Sequence, residues 1–292
     1  MNFLTSIIFF LFVLIIGILP FKCMYIFSDF IAWFLRRVMK YRHKVIHDNL
    51  TKSDLVLTED QKKEFIRQVY TNLSDIILEG IKSFTMTRKS VLKRHKVLNP
   101  DLVETYYRNK QSLILVTGHL GNWEWGSLSA GLQTPYHILG FYKPLKNKLL
   151  DRFLRWSRSR FGTTLAPIKK TSLSFQKHSN HPTMYLMAAD QSPSKIAYAY
   201  WTNFLGRKTA FLHGPEKHSR NNNYPLIFAD IKRVKRGKYE LELSVLEDNP
   251  SALSQGEITN LYAQKLDSII RTNPANWLWT HRRWKHQFSN TN

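Results

Sequence analysis

Cysteine is nearly absent. Cys23 stands alone among 292 residues, which excludes a disulfide framework, a cysteine-rich zinc site and iron–sulfur ligation. Carboxylates are scarce as well, 21 Asp and Glu against 43 Lys and Arg, for a formal net charge of +22. A chain this basic suits phosphate-bearing partners, either nucleic acid or anionic lipid. Gly and Pro number only 12 and 11. With 43% apolar residues, that excludes disorder, collagen-like repeats and low complexity. Charge is missing altogether from residues 1–21, and the run from Phe3 to Leu19 is almost entirely apolar. No positive charge precedes that run and no small-residue cleavage site follows it, so residues 1–22 read as an uncleaved N-terminal transmembrane helix, not a signal peptide. Lys22, Arg36, Arg37, Lys40, Arg42 and Lys44 follow it and place its C-terminal side at the cytoplasm.

Residues 23–110 read as a helical interfacial and packing segment. Met24 to Leu35 is apolar but too short to span. Thr58-Glu59-Asp60-Gln61 is a capping-box pattern, continued by Phe65, Val69, Leu73, Ile77, Ile81 and Phe84 at helical spacing. From residue 111 to 292 the pattern becomes α/β. Leu113–Val116, Tyr136–Phe141 and Thr183–Ala188 are strand-like, and Trp123–Ala130 and Lys146–Phe161 are helical. Leu226–Val234 and Tyr239–Leu246 flank a Gly-containing turn as a hairpin, and a helix follows from about Gln255 to Arg271. This alternation predicts an α/β fold, a mixed and largely parallel sheet flanked by helices.

Chemistry concentrates at Thr117-Gly118-His119-Leu120-Gly121-Asn122-Trp123-Glu124, directly after the first core strand. Ligand sites in open α/β sheets lie at the carboxyl ends of strands, where a catalytic base is expected. Asn122 can cap the next helix and place Glu124 in its first turn, and Gly118 and Gly121 permit a sharp turn. Residues five apart diverge on one helix but converge across such a turn. Glu124 is then a candidate to hold the His119 tautomer while the other ring nitrogen takes a proton; a His satisfied by a backbone carbonyl is the alternative. No G-x-S-x-G, G-x-x-x-x-G-K-[ST], H-E-x-x-H or G-x-G-x-x-G is present, which removes weight from serine hydrolases, P-loop enzymes and dinucleotide enzymes. His178 and His181 sit on a polar stretch and read as solvated residues, not metal ligands.

An ordered set of segments accompanies the His119 motif: Tyr142-Lys143-Pro144, Asn147, Asp151, Arg160-Phe161-Gly162, Ala189-Asp190-Gln191, Phe204-Leu205-Gly206-Arg207, Gly214-Pro215-Glu216, and Asn276-Trp277-Leu278-Trp279-Thr280-His281-Arg282-Arg283-Trp284-Lys285. In this set the chain resembles the lipid A biosynthesis late acyltransferases, a branch of the lysophospholipid acyltransferase superfamily, over nearly its whole length. The resemblance implies a glycerol-3-phosphate acyltransferase-like fold and transfer of a fatty acyl chain to a lipid hydroxyl at the cytoplasmic face of a bacterial inner membrane. The donor it implies is a thioester of acyl carrier protein or coenzyme A as co-substrate; direct attack by the acceptor hydroxyl then requires no metal and no acyl-enzyme, and no cofactor is expected. His119 takes the place of the family's general base and Glu124 that of its paired acid. Arg160 takes that of an active-site cation, and Asp190 and Gln191 lie near the acceptor pocket. Asn122, Lys143, Glu216, Arg282 and Arg283 complete the expected substrate-binding set. Lys143 stands where Arg is expected and Lys148 where Pro is expected, departures at positions that would contact the acceptor's phosphate or sugar.

The composition agrees. Between Lys143 and Arg160 there are seven Lys and Arg and one Asp, and Lys148, Arg152 and Arg155 share one helical face. Such a face attracts lipid phosphates or an acidic carrier protein, or is simply solvated. Two other readings stay open at this stage. One keeps the chemistry and moves the acceptor to a glycolipid, a phosphatidylinositol mannoside, an amino-acid lipid or a lysophospholipid. The other is a non-catalytic, membrane-anchored basic binding protein, for which no nucleic-acid recognition motif is visible.

Overall fold

A computed structural model describes residues 2–177 and 181–288. In chain order the helices and strands are α1 (Asn2–Ile18), α2 (Phe21–Arg37), α3 (His43–Lys52), α4 (Glu59–Lys82), α5 (Arg88–Arg94), β1 (His95–Val97), α6 (Asp101–Arg108), β2 (Leu113–Thr117), α7 (Trp123–Gln133), β3 (His137–Tyr142), α8 (Lys148–Ser159), β4 (Thr163–Pro167), α9 (Thr171–Lys177), β5 (Thr183–Ala188), β6 (Ala199–Phe204), β7 (Arg207–Leu212), α10 (Gly214–Asn222), β8 (Leu226–Lys235), β9 (Lys238–Glu247) and α11 (Glu257–Thr272).

A seven-stranded sheet in the order β1-β9-β8-β2-β5-β3-β4 runs through the middle of the fold. Five neighbouring strands, β8 to β4, are parallel, and β9 turns back on β8 through the Arg236-Gly237 corner as the expected hairpin. The α/β reading and its mixed, largely parallel sheet therefore stand. Helices cover both faces because a parallel strand such as β2, with Leu113, Ile114 and Val116 fully buried, has apolar side chains to hide on each side. β1, β4 and the separate β6–β7 hairpin are additions that short or interrupted apolar runs did not announce.

The N-terminus departs from expectation. Among the described residues no helix is long and apolar enough to cross a membrane. α1 has 17 residues, about 26 Å at the helical rise against a bilayer core of about 30 Å. Pro20, which has no N–H to continue the ladder, starts α2 on a new axis. The end of α1 is also tied into the protein: Lys82 Nζ donates to the carbonyls of Ile16, Gly17 and Leu19, a cation satisfying a helix C-terminus. Ile16 and Met24 are buried with Leu78 of α4. The opposite faces of α1 and α2 expose Leu11, Leu14, Ile15, Ile26, Phe30 and Trp33.

α4 opens with the expected capping box at Thr58 and Gln61 and buries Phe65 and Val69. Further along, Ile77 is exposed and Asp75 and Glu79 are fully buried instead. The apolar stripe thus gives way to a polar seam. Asp75 accepts from Ser28, Arg233 and Arg236, while Glu79 accepts from Tyr25, Asn122 and Tyr239. The tail tryptophans Trp277, Trp279 and Trp284 are buried in the core as packing residues.

Candidate active site

β2 and β5 are adjacent and parallel, with Thr117 level with Ala188. Two residues beyond each strand end, His119 and Asp190 therefore meet. His119 Nδ1 lies 2.5 Å from Asp190 Oδ1, and the His119 backbone N–H donates to Asp190 Oδ2 at 2.9 Å. A carboxylate only accepts, so Nδ1 carries the proton and Nε2 of the neutral ring is the acceptor. Trp277 Nε1 donates to the same Asp190 oxygen at 2.8 Å. His119 also meets the ring of Trp123 edge-on at 4.9 Å.

The loop between β2 and α7 leaves little freedom. Gly121 has φ +49°, and a Cβ there would lie 3.0 Å from the Ile231 carbonyl oxygen. A Cβ on Gly118 would meet Leu266 at 2.7 Å. Gly121 is therefore required by its left-handed backbone and the nearby carbonyl, whereas a side chain at Gly118 would have to displace the buried Leu266 methyl. The Gly121 N–H donates to the Asn276 carbonyl, and Tyr262 Oη donates to the Thr117 carbonyl, so the C-terminal segment and α11 strap the loop from outside.

Burial would by itself push the His119 imidazole down. The charge and hydrogen bond of Asp190, and more weakly the charge of Glu124, outweigh it, and the net direction is up. Burial likewise opposes ionisation of Asp190, but the imidazole and the hydrogen bonds it receives hold that carboxyl well below the usual range.

His119 lines a cavity of about 480 Å³. The inner wall is apolar, with Leu115, Ala130, Met184, Leu186, Ile231 and Leu243; the polar side carries Glu124, Lys143, Asp151, Arg155 and Arg158. α8 forms part of this wall, and it also touches α1: Phe153 packs on Phe9 and Phe10, and Asn147 donates to Ser6.

Several expected site residues fall elsewhere. Glu124 lines the cavity, but its direct partner is Arg158, which donates to both carboxylate oxygens at 2.7–3.1 Å, and not His119. Arg160 does not line the cavity. It points back to the end of α4 and donates to the carbonyls of Ser83, Phe84 and Met86, tying that end to α8. Asn122 caps α7 as expected, accepting from the Trp125 N–H, and its amide turns away from the cavity to Glu79. Glu216 is buried, accepting from the N–H groups of Gly256 and Thr259 at the start of α11, where a carboxylate offsets the helix dipole. Arg283 is buried with its guanidinium over Phe211 and Phe204, at 4.3 and 5.6 Å from the ring centres, and Arg282 is exposed away from the cavity. Lys143 lines the cavity, Gln191 contacts His119, His181 is exposed, and His178 lies outside the described residues. Reading the sequence missed Arg158 as the partner of Glu124, and missed as supports Trp277, which donates to Asp190, and His281, which accepts from the Ser192 N–H. The available signal was two apolar strands each followed within two residues by a titratable side chain.

A family model described as bacterial lipid A biosynthesis acyltransferase matches residues 2–286. The chain is also 22% identical over 269 residues to the lipid A biosynthesis lauroyltransferase of Escherichia coli (strain K12), covering 91% of this chain and 87% of that protein. With the family model matched over almost its full length, the chain belongs to the bacterial lipid A biosynthesis acyltransferase family and is an acyltransferase.

Proposed function

We propose that this acyltransferase moves a fatty acyl group from a thioester of acyl carrier protein or coenzyme A to a hydroxyl of a lipid A precursor, with His119 as general base held by Asp190. One observation carries the reading: Nδ1–H is committed to a buried carboxylate, which leaves Nε2 as a proton acceptor beside an apolar cavity with a basic mouth. The acceptor oxygen attacks the thioester carbonyl carbon while its proton passes to Nε2. The tetrahedral intermediate collapses, the C–S bond breaks, and the departing sulfur takes the proton from Nε2. Asp190 stabilises the imidazolium between these steps. The cavity's apolar wall suits an acyl chain, and Lys143, Arg155 and Arg158 suit the phosphates of a lipid acceptor. The thioester is a co-substrate, and no cofactor is assigned.

The exposed apolar faces of α1 and α2 support a seat in the cytoplasmic leaflet of the bacterial inner membrane, lying in the interface and not spanning it. α8 joins that surface to the cavity, so a lipid acceptor reaches His119 from the bilayer. The test is mass spectrometry of lipid A from cells with and without the gene. A species lighter by one acyl chain, restored by the wild type and not by His119→Ala, is the expected result. A change confined to phospholipids or glycolipids moves the acceptor, and restoration by His119→Ala overturns the assignment of the base.

A further inference from the structure

The loop after β5 is fastened on both sides of Gln191. Asp190 is held by His119 and Trp277. The Ser192 N–H donates to His281 Nε2 at 3.0 Å, and the Pro193 carbonyl lies 2.8 Å from His286 Nε2. Between these points Gln191 places its Nε2 at 3.1 Å from Nε2 of His119. Because Nδ1 carries the ring proton, Nε2 of the neutral imidazole accepts, and the Gln191 amide donates to it. Among the described residues this is the hydrogen bond the Gln191 side chain makes. Yet Nε2 is the atom that must take the acceptor's proton, so in this arrangement the base is occupied.

We infer that Gln191 is a latch on the base, covering His119 Nε2 until an acceptor hydroxyl displaces it and thereby favouring the lipid over water. The inference rests on the proposed role of His119. The reaction it restrains is thioester hydrolysis. There, water oxygen adds to the carbonyl carbon as its proton passes to Nε2, the C–S bond breaks, and sulfur takes that proton, releasing fatty acid and thiol. A water molecule that displaces the amide gains one hydrogen bond and loses one. A lipid held by its phosphates and acyl chains delivers its hydroxyl with that cost already met by remote contacts. The amide also serves the protonated ring: turned half a revolution, its Oε1 accepts from Nε2–H. Because the backbone is held on either side, rotation of the Gln191 side chain is enough for this exchange and the loop need not move.

The test uses the full chain in detergent micelles, with dodecanoyl thioesters of coenzyme A and of acyl carrier protein as donors. Thiol release is measured with and without a lipid A precursor. Gln191→Ala should raise acceptor-free hydrolysis about three- to tenfold, the order of restraint that one hydrogen bond supplies, and with it the ratio of hydrolysis to transfer. Gln191→Asn keeps the amide one methylene short and should move the hydrolysis-to-transfer ratio in the same direction, which preserves the test if the alanine variant does not fold. A ratio within twofold of wild type in the folded variants overturns the latch and leaves His119 as the base. Hydrolysis that persists undiminished in His119→Ala also overturns the latch, and transfer that persists undiminished there overturns the base itself, and the latch with it.

Discussion

Two buried carboxylates hold the loop between β2 and α7 from opposite sides. Asp190 accepts from the backbone and ring of His119 at the loop's start, and Glu79 accepts from Asn122 at its end. Each also takes hydrogen bonds from aromatic side chains, Trp277 for Asp190, and Tyr25 and Tyr239 for Glu79. Their electrostatics run in opposite directions. Burial pushes Glu79 up, and the tyrosine hydrogen bonds and the charge of Arg233 only partly compensate. For Asp190 the imidazole overcomes burial and holds the carboxyl low. The difference lies in the partners: neutral hydroxyls and an amide make a scaffold, whereas a titratable ring lining a cavity makes a site.

The sharpest way to break this comparison is at His119. His119→Ala should lower kcat/KM by about 10⁴-fold, the upper range for a general base, with a thermal midpoint close to wild type. Asp190→Asn comes next, with a loss of about 10³-fold, because the amide no longer enforces the productive tautomer. Its pH profile separates the two roles. In the wild type the acid limb of kcat/KM should lie above the ordinary imidazole value of 6.5, because Asp190 raises His119 and protonation of Nε2 removes the base. In Asp190→Asn the lifting charge is gone while burial remains, so the limb should move to lower pH. A limb that stays in place would separate Asp190 from the titration.

Glu124→Ala should cost less, about ten- to thirtyfold, mostly in KM for the lipid acceptor. Its pair with Arg158 is about a third exposed on each side, which screens it. A loss equal to that of Asp190→Asn would return Glu124 to the role the sequence motif suggested for it.

Much of the frame was legible before any coordinates. Strands β2, β3, β5, β8 and β9 and helices α4, α7, α8 and α11 follow from apolar period and capping residues, which are local signals. The placement of His119 at a strand end was legible for the same reason. Its partner was not. Spacing offers Glu124, five residues away, but strand order brings Asp190 alongside from 71 residues away, and order is decided by long-range packing that no local pattern carries. Arg160 misled for a related reason: a cation near the site in sequence can be claimed by carbonyls at a helix end. The N-terminal run misled because composition reports apolarity, whereas Pro20 and the hydrogen bonds from Lys82 decide where the helix stops and what it packs on.

Glu79 supplies the mildest prediction and the control for the others. Glu79→Gln keeps an oxygen to accept from Asn122 and Tyr239, and the Tyr25 hydroxyl can turn to accept from its amide, so kcat/KM should stay within about threefold of wild type. Glu79→Leu strands the Tyr25, Tyr239 and Asn122 donors in a site of 0% exposure. Stability should then fall by about 3 kcal/mol, read as a lower denaturant midpoint, with the pH limb unmoved. Asp190→Asn should show the reverse pattern, a moved limb with a smaller change in midpoint. If Glu79→Gln shifted the limb as Asp190→Asn does, the polar seam on α4 would belong to the catalytic electrostatics, and the division between scaffold and site would lie on the far side of α4.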